Sequence, residues 1–335
     1  MKFLYRLLFS VSLAIAACSA NAGESAWQQY KRAFVSPDGR VIDTGNHDIS
    51  HSEGQGFGML LAVFNDDKPA FDHIWSWTRQ TLYRDDVGLF AWRYEPQAKV
   101  PIADANTASD GDTLIAWALL MAGQKWNDKR YLLVSSLIQT SLINHAIVSF
   151  GGYTVMLPGV DGFTHPGRVT LNPSYFIFPA WRDFYQSSHN EIWQTLINSG
   201  RLQLINMRFG DDGLPTDWVD LDQAGQFSPA VGWPPRFSFD AVRIPLYLSW
   251  AGIADDTMAP YIKYWSKYSR GVAPAWIDVV KNQTAEYAMT TGMLAVRDLI
   301  LAGKAPIAAT LARDEDYYSA SLHLLAFYAQ HRRVE

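Results

Sequence analysis

An all-α fold of paired helices is what this sequence predicts, and three observations predict it. Apolar residues recur at three-to-four spacing through about twelve segments between residues 26 and 330, the period of a helix with one buried face. No Gly/Ser-rich linker and no shift in composition interrupts that stretch, so it reads as a single domain. Hydrophobic residues make up 48% of the 335-residue chain and charged residues only 18%, which permits a large core and excludes disorder. Six helix pairs closed into a ring would bury the inner helix of each pair and leave long loops on one rim. An open helical solenoid is the competing arrangement.

Residues 1–22 stand apart from the helices. Lys2 and Arg6 precede an apolar run over 7–17 that is too short to span a bilayer, and Ala20-Asn21-Ala22 supplies small residues for cleavage before Gly23. Charged start, apolar middle and small-residue end read as a secretory signal. Domain organisation is therefore a leader over 1–22 and one domain over 23–335, placed in the periplasm or secreted. No later apolar run reaches the ~18 residues a membrane helix needs. The single cysteine, Cys18, ends Ile15-Ala16-Ala17-Cys18, which loosely resembles a bacterial lipobox; lipid anchoring at Cys18 is the alternative to its loss with the leader. One cysteine excludes intrachain disulfides and cysteine zinc sites.

The helices follow in order. The spacing predicts 26–34, 53–65, 69–83 with Pro69 near its start, and 110–125, where Leu114, Ile115, Ala118, Leu119, Met121 and Ala122 form the apolar stripe. Asn127-Asp128 can cap 128–146. Further helices are expected at 174–185, 190–206, 239–251, 255–269 and 284–302, then a short one at 305–312 and a last at 315–330. A short β-hairpin fits 151–158. The connections 36–50, 87–107, 151–173 and 210–238 are polar or rich in Gly and Pro, and loops beyond ~12–15 residues are usually functional.

Four acids stand out by context. Glu53 sits in Ser52-Glu53-Gly54-Gln55-Gly56-Phe57-Gly58, where glycines permit close approach of another chain or a ligand; capping of the following helix is the alternative. Asp110 and Asp112 flank Gly111 ahead of an apolar helix, where a cap is the ordinary role. Asp240 lies between aromatic residues at the end of a long loop, with an i,i+3 ion pair to Arg243 as its structural alternative. Other chemistries lack residues. The eight histidines form no His-x-x-x-His or Glu-x-x-His pair, no Gly-x-Ser-x-Gly exists, and Gly54–Gly58 lacks dinucleotide-binding spacing. A net charge of −5 without a basic run excludes a nucleic-acid footprint. Paired carboxylates in an aromatic-rich, exported helical domain are what remains.

At this point the residues resemble glycoside hydrolase family 8. The run from Ala108 through Asp110-Gly111-Asp112-Thr113 to Ala122, closing with Trp126, is similar to the family signature. In the family's order come Ser52–Met59, Asn172-Pro173-Ser174-Tyr175, Ser238-Phe239-Asp240-Ala241-Val242-Arg243 and Asp316-Tyr317-Tyr318. Arg40-Val41-Ile42-Asp43 and Leu157-Pro158-Gly159 resemble the endoglucanases of bacterial cellulose synthesis within that family. The similarity spans nearly the whole of the chain after the leader.

The resemblance implies an (α/α)6 barrel and inverting hydrolysis of a β-1,4-linked glycan. Glu53 would be the general acid, Asp240 the general base, Asp110 the residue holding a distorted sugar, and Tyr175 a neighbour of the attacking water. Two positions depart from the family pattern: Phe239 replaces a Tyr and Leu246 a Trp. Such a mechanism asks Glu53 to be raised in pKa by burial and by Asp110. It also asks for the two carboxyls to stand roughly 6.5–9.5 Å apart, and it calls for no metal or cofactor. Trp92, Trp117, Trp181, Trp218, Trp233 and Tyr317 are candidates to stack on sugar, with core or rim packing as the alternative for each. Asn106, Ser109 and Arg243 are candidate hydrogen-bonding partners. The expected substrate is a β-1,4-glucan such as cellulose, with cellulose synthase or export components as partners. The alternatives are a chitosanase or xylanase of the same family, separable by a substrate panel, and a non-catalytic glycan-binding subunit, against which the intact Glu53, Asp110 and Asp240 argue.

Overall fold

A computed structural model describes residues 24–301 and 306–331; the expected leader and Cys18 lie outside the described residues. Helix α1 (Ala26–Phe34) starts where the Ser25 side chain accepts from the Gln28 amide, and it buries only Ala26, Trp27, Tyr30 and Phe34. That stripe marks an outer helix. In α2 (Ser52–Phe64) every residue except Glu53 is buried, which marks an inner one. Along the chain follow α3 (Lys68–Leu82), α4 (Ser109–Lys125), α5 (Lys129–His145), α6 (Phe178–Ser188), α7 (Glu191–Asn206), α8 (Arg243–Trp250), α9 (Ala259–Trp265), α10 (Thr291–Leu301) and α11 (Tyr317–His331).

Helices α2, α4, α6, α8, α10 and α11 touch in succession, and α11 closes onto α2; α3, α5, α7, α9 and α1 pack outside α2, α4, α6, α10 and α11. This is the (α/α)6 toroid, and the solenoid alternative falls with the closing contact. Its core is aromatic. Trp117 of α4 meets Trp250 of α8 edge-on at 5.2 Å, and its indole donates to Asp183 on α6 at 2.7 Å.

The described residues show five outer helices, because the short helix expected at 305–312 is absent over 306–312. That segment lies against α11 without regular structure. The Ile307 amide donates to Gln330 Oε1 at 2.8 Å and the Ala308 carbonyl meets His323 Nε2 at 3.0 Å, partners that replace intrahelical bonds.

Helix starts also differ from the periodicity. The helix expected from 284 begins at Thr291, since Gln283–Thr284 pairs with Ile277–Asp278, which pairs in turn with Arg236–Phe237, all antiparallel. The Asp278 carboxylate accepts the Val280 and Lys281 amides, a side-chain turn that competes with helix. Asn172 does the same before α6, accepting from the Ser174 amide at 3.1 Å and leaving Pro173–Tyr175 as a single 3₁₀ turn. The hairpin expected at 151–158 pairs Ile147–Phe150 with Tyr153–Met156. Its turn is Gly151-Gly152, with φ of +56° and +83°, which glycine alone adopts readily. A four-stranded antiparallel sheet stiffens the loops that follow, in the order Phe227–Pro229, Val219–Asp222, Arg168–Leu171, Thr164–His165.

Candidate active site

Glu53 and Asp110 occupy the first turns of α2 and α4, and glycines bring those turns together. A Cβ on Gly111 would stand 2.7 Å from the Glu53 nitrogen, and one on Gly56 2.5 Å from Leu114 Cβ. Only bare backbone allows so close a crossing. The two carboxyls come together as a result and share a hydrogen bond.

Arg243, the first residue of α8, is 3% exposed and links the whole group. Its Nη2 lies 3.1 Å from Glu53, 3.2 Å from Asp240 and 3.7 Å from Asp110. It also donates to Ser174 Oγ at 2.9 Å, while Nη1 donates to the Tyr318 hydroxyl at 3.0 Å. The Glu53 and Asp240 oxygens thus meet one nitrogen, and these two oxygens lie closer than the roughly 6.5–9.5 Å expected between the carboxyls of an inverting pair. Asn172 donates from Nδ2 to Asp240 Oδ2 at 3.2 Å. Phe239, 40% exposed, offers its ring at the lip of a cleft of about 570 Å³, whose walls also include His51, Thr290 and Asp316.

One guanidinium cannot neutralise this many acids, so protons stay on them. Burial raises the Glu53 carboxyl; Arg243 pulls it back, and the Asp240 charge pushes it further up. Burial and then the Glu53 charge hold Asp110 well above the aspartate range. The expectation that Asp110 raises Glu53 is corrected here. Burial and the Asp240 charge, rather than Asp110, are what raise Glu53. Both acids sit at helix N-termini, where the dipole favours anions by ~0.3–1 kcal/mol. Burying a charge costs several kcal/mol, so burial wins. The pair holds a proton in common. Tyr175, half-buried, senses Asp110, Asp240 and Glu53 together. Burial, Arg93 and Arg243 lower His51 to about 4, so a neutral imidazole lies parallel to Trp92, ring centroids 6.5 Å apart.

Of the residues anticipated from sequence, Glu53, Asp110, Asp240, Tyr175 and Arg243 meet in one place. Trp92 is half-buried beside the cleft, its indole donating to Asp104 at 2.8 Å. Four others are turned to structural use. Trp117 is 2% exposed and belongs to the core, and Ser109, 1% exposed, donates to the Leu157 carbonyl at 2.7 Å. Asn106 clamps a loop through Asp161, donating to its carbonyl and accepting from its amide. Tyr317 is 2% exposed, wedged against Gly54, Phe34 and His51; its neighbour Tyr318 faces the cleft. Trp181 is fully buried, whereas Trp218 stacks between Phe163 and Trp233 with interplanar angles of 7° and 17°. Asn172, Ser174 and Asp217 escaped the reading of single residues as candidates. The Asn172-Pro173-Ser174 turn was the signal available for the first two.

The model of the glycosyl hydrolases family 8 matches residues 1–332. The chain belongs to glycoside hydrolase family 8. An endoglucanase of Cellulomonas uda is 52% identical over 278 residues, covering 83% of this chain and 77% of its own. The crystal structure of endoglucanase Cel10, a family 8 glycosyl hydrolase from Klebsiella pneumoniae, superposes with a TM-score of 0.89 at 52% identity, over 91% of this chain and 98% of that one. The endo-β-1,4-glucanase CMCax from Acetobacter xylinum gives 0.88 at 36% identity, over 92% and 97%. The fold of this family 8 chain therefore agrees with these solved relatives over nearly their whole length.

Proposed function

We propose that this family 8 hydrolase is an endo-β-1,4-glucanase acting on cellulose-like chains, with Glu53 as general acid and Asp240 as general base. The observation that carries the reading is the Arg243 hub, which holds Glu53, Asp110 and Asp240 within 3.7 Å of one nitrogen at the lip of the cleft. Glu53, protonated through its shared proton with Asp110, gives that proton to the departing glycosidic oxygen. Asp240, held by the same Arg243, takes a proton from the water that attacks the anomeric carbon. Asp110 holds the sugar at the cleavage point, and the Tyr175 hydroxyl stands near the water. Trp92, Phe239 and the Trp218–Trp233 stack offer apolar faces to the sugars. A neutral glucan suits a cleft without an excess of cations.

Relatives whose names specify an endoglucanase support the substrate. Purified protein on carboxymethylcellulose, xylan and chitosan tests it: release of oligosaccharides from carboxymethylcellulose is expected, and activity confined to xylan or chitosan would overturn it. No helix among the described residues is long and apolar enough to cross a membrane. The leader pattern of 1–22 supports export to the periplasm or medium, where the enzyme would serve cellulose synthesis and secretion beside the synthase. Osmotic-shock release of the mature protein is expected, and incorporation of a fatty acyl label at Cys18 would place it on a membrane instead.

A further inference from the structure

Asp217 has no part in the roles above, yet it is bound to the residue that bears the base. Its Oδ1 accepts the Ser238 amide at 3.0 Å and the Ala241 amide at 2.8 Å. Those amides bracket Phe239-Asp240, so one oxygen pins both ends of the arch from which the Asp240 side chain projects. The arch is a turn preceding α8, not part of it. It is also anchored by the Val242 amide on the Ser238 carbonyl, the Arg243 amide on the Asp240 carbonyl, and the Tyr318 hydroxyl and Arg243 Nη1 on the Phe239 carbonyl. Asp217 is itself fixed, its amide donating to the Arg236 carbonyl at 2.7 Å.

We propose that Asp217 is the positioning residue of the general base, setting through Oδ1 where the Asp240 carboxylate meets the attacking water. The inference rests on the reading of Asp240 as base. A displacement of ~1 Å in a reacting group costs on the order of 100-fold in rate, so a single oxygen that ties both ends of the arch is a sensitive point. Asp217 acts in its neutral form. Burial and the Asp240 charge push its carboxyl up to about 8, against the two amides and Arg243. Asp240 and Arg243 are the charged groups that act on it. The neutral form adds no second anion beside the base. The next residue, Trp218, belongs to the aromatic stack, so the dipeptide joins sugar platform to base.

The test compares Asp217→Ala, Asp217→Asn and Asp240→Asn on cellohexaose. Asp217→Ala removes the acceptor, and kcat falls by about 30-fold or more while KM stays within about twofold. Asp217→Asn keeps an acceptor oxygen, recovers kcat to within about threefold, and leaves the acid limb of kcat/KM in place. Wild-type kcat in Asp217→Ala overturns the inference, as does equal loss of kcat and affinity. An acid limb moved to lower pH in Asp217→Asn also overturns it, because that shift means a negative charge beside Asp240 has been removed. Should Asp217→Ala not fold, Asp217→Asn decides alone, a kcat loss beyond about tenfold standing against the proposal. Asp240→Asn separates the two levels. If it retains turnover, the base assignment itself is wrong; if it is dead while Asp217→Ala is wild-type, only the Asp217 role fails.

Discussion

Arg243 shows how one side chain sets the chemistry of its neighbours. A planar guanidinium meets several oxygens in a fixed fork, which a lysine ammonium does not reproduce. Arg243→Lys is therefore expected to keep the fold and lower kcat by on the order of 100-fold, measured on cello-oligosaccharides. Arg243→Met leaves Glu53, Asp110 and Asp240 with no cation within 4 Å of all three. Breaking a buried pair of this kind costs about 3–5 kcal/mol, to be read from urea unfolding. Unchanged stability in that variant would mean that the acids shed their charge at no cost. Glu53→Gln should remove the general acid and lower kcat by about 100-fold or more, with cellohexaose binding retained. Turnover like the wild type would take Glu53 out of that role.

At the level of elements, the site is made by the starts of five of the inner helices. The first turns of α2, α4, α8 and α11 supply Glu53, Asp110, Arg243 and Tyr318, and the turn before α6 supplies Tyr175. Gly111 controls how closely two of these turns approach. Gly111→Ala would drive a methyl into the Glu53 backbone, costing about 1–3 kcal/mol as overpacking does, and would part the carboxyl pair. Thermal unfolding and kcat should fall together, and a variant with both unchanged would show that the crossing is loose. The glycines around Glu53 were legible because close approach leaves no other residue type, whereas Gly111 beside Asp110 was read only as part of a helix start. Apolar period likewise revealed most helices, α1 with both bounds. It failed wherever a side chain or a partner strand captured backbone donors. Asn172 caps a turn that the periodicity ran into as helix, strand pairing of Gln283–Thr284 displaced the start of α10, and the anchors on Ile307 and Ala308 replace a helical turn. Such contacts depend on partners distant in the chain and leave no periodic trace. Trp117 and Tyr317 were misjudged for a related reason. An aromatic beside a site motif has the same sequence neighbourhood whether it turns toward sugar or core, and only ring closure decides.

The ring as a whole concentrates acids in its interior, and this gives the molecule a pH dependence of definite sign. Glu53, Asp110, Asp112 and Asp217 all have carboxyls raised by burial, Asp217 to about 8 from an ordinary 3.8. Raised acids bind more protons folded than unfolded, so their contribution to stability is fully present below the ordinary carboxylate range. It is lost as pH rises through the folded values. For Asp217 the window runs from pH 3.8 to about 8. Thermal midpoints should therefore decline across that window, and less steeply in Asp217→Asn; an identical slope would mean that Asp217 is ionised in the folded state. The closed toroid also explains why acids far apart in the chain act together, since each opens onto one rim. The central claim is that Glu53 and Asp240 work on opposite faces of the scissile bond. Proton NMR of cellohexaose during the first turnovers tests it most directly. The account predicts that the newly formed reducing ends appear as the α-anomer before mutarotation, whereas β-anomer as the first product would contradict it.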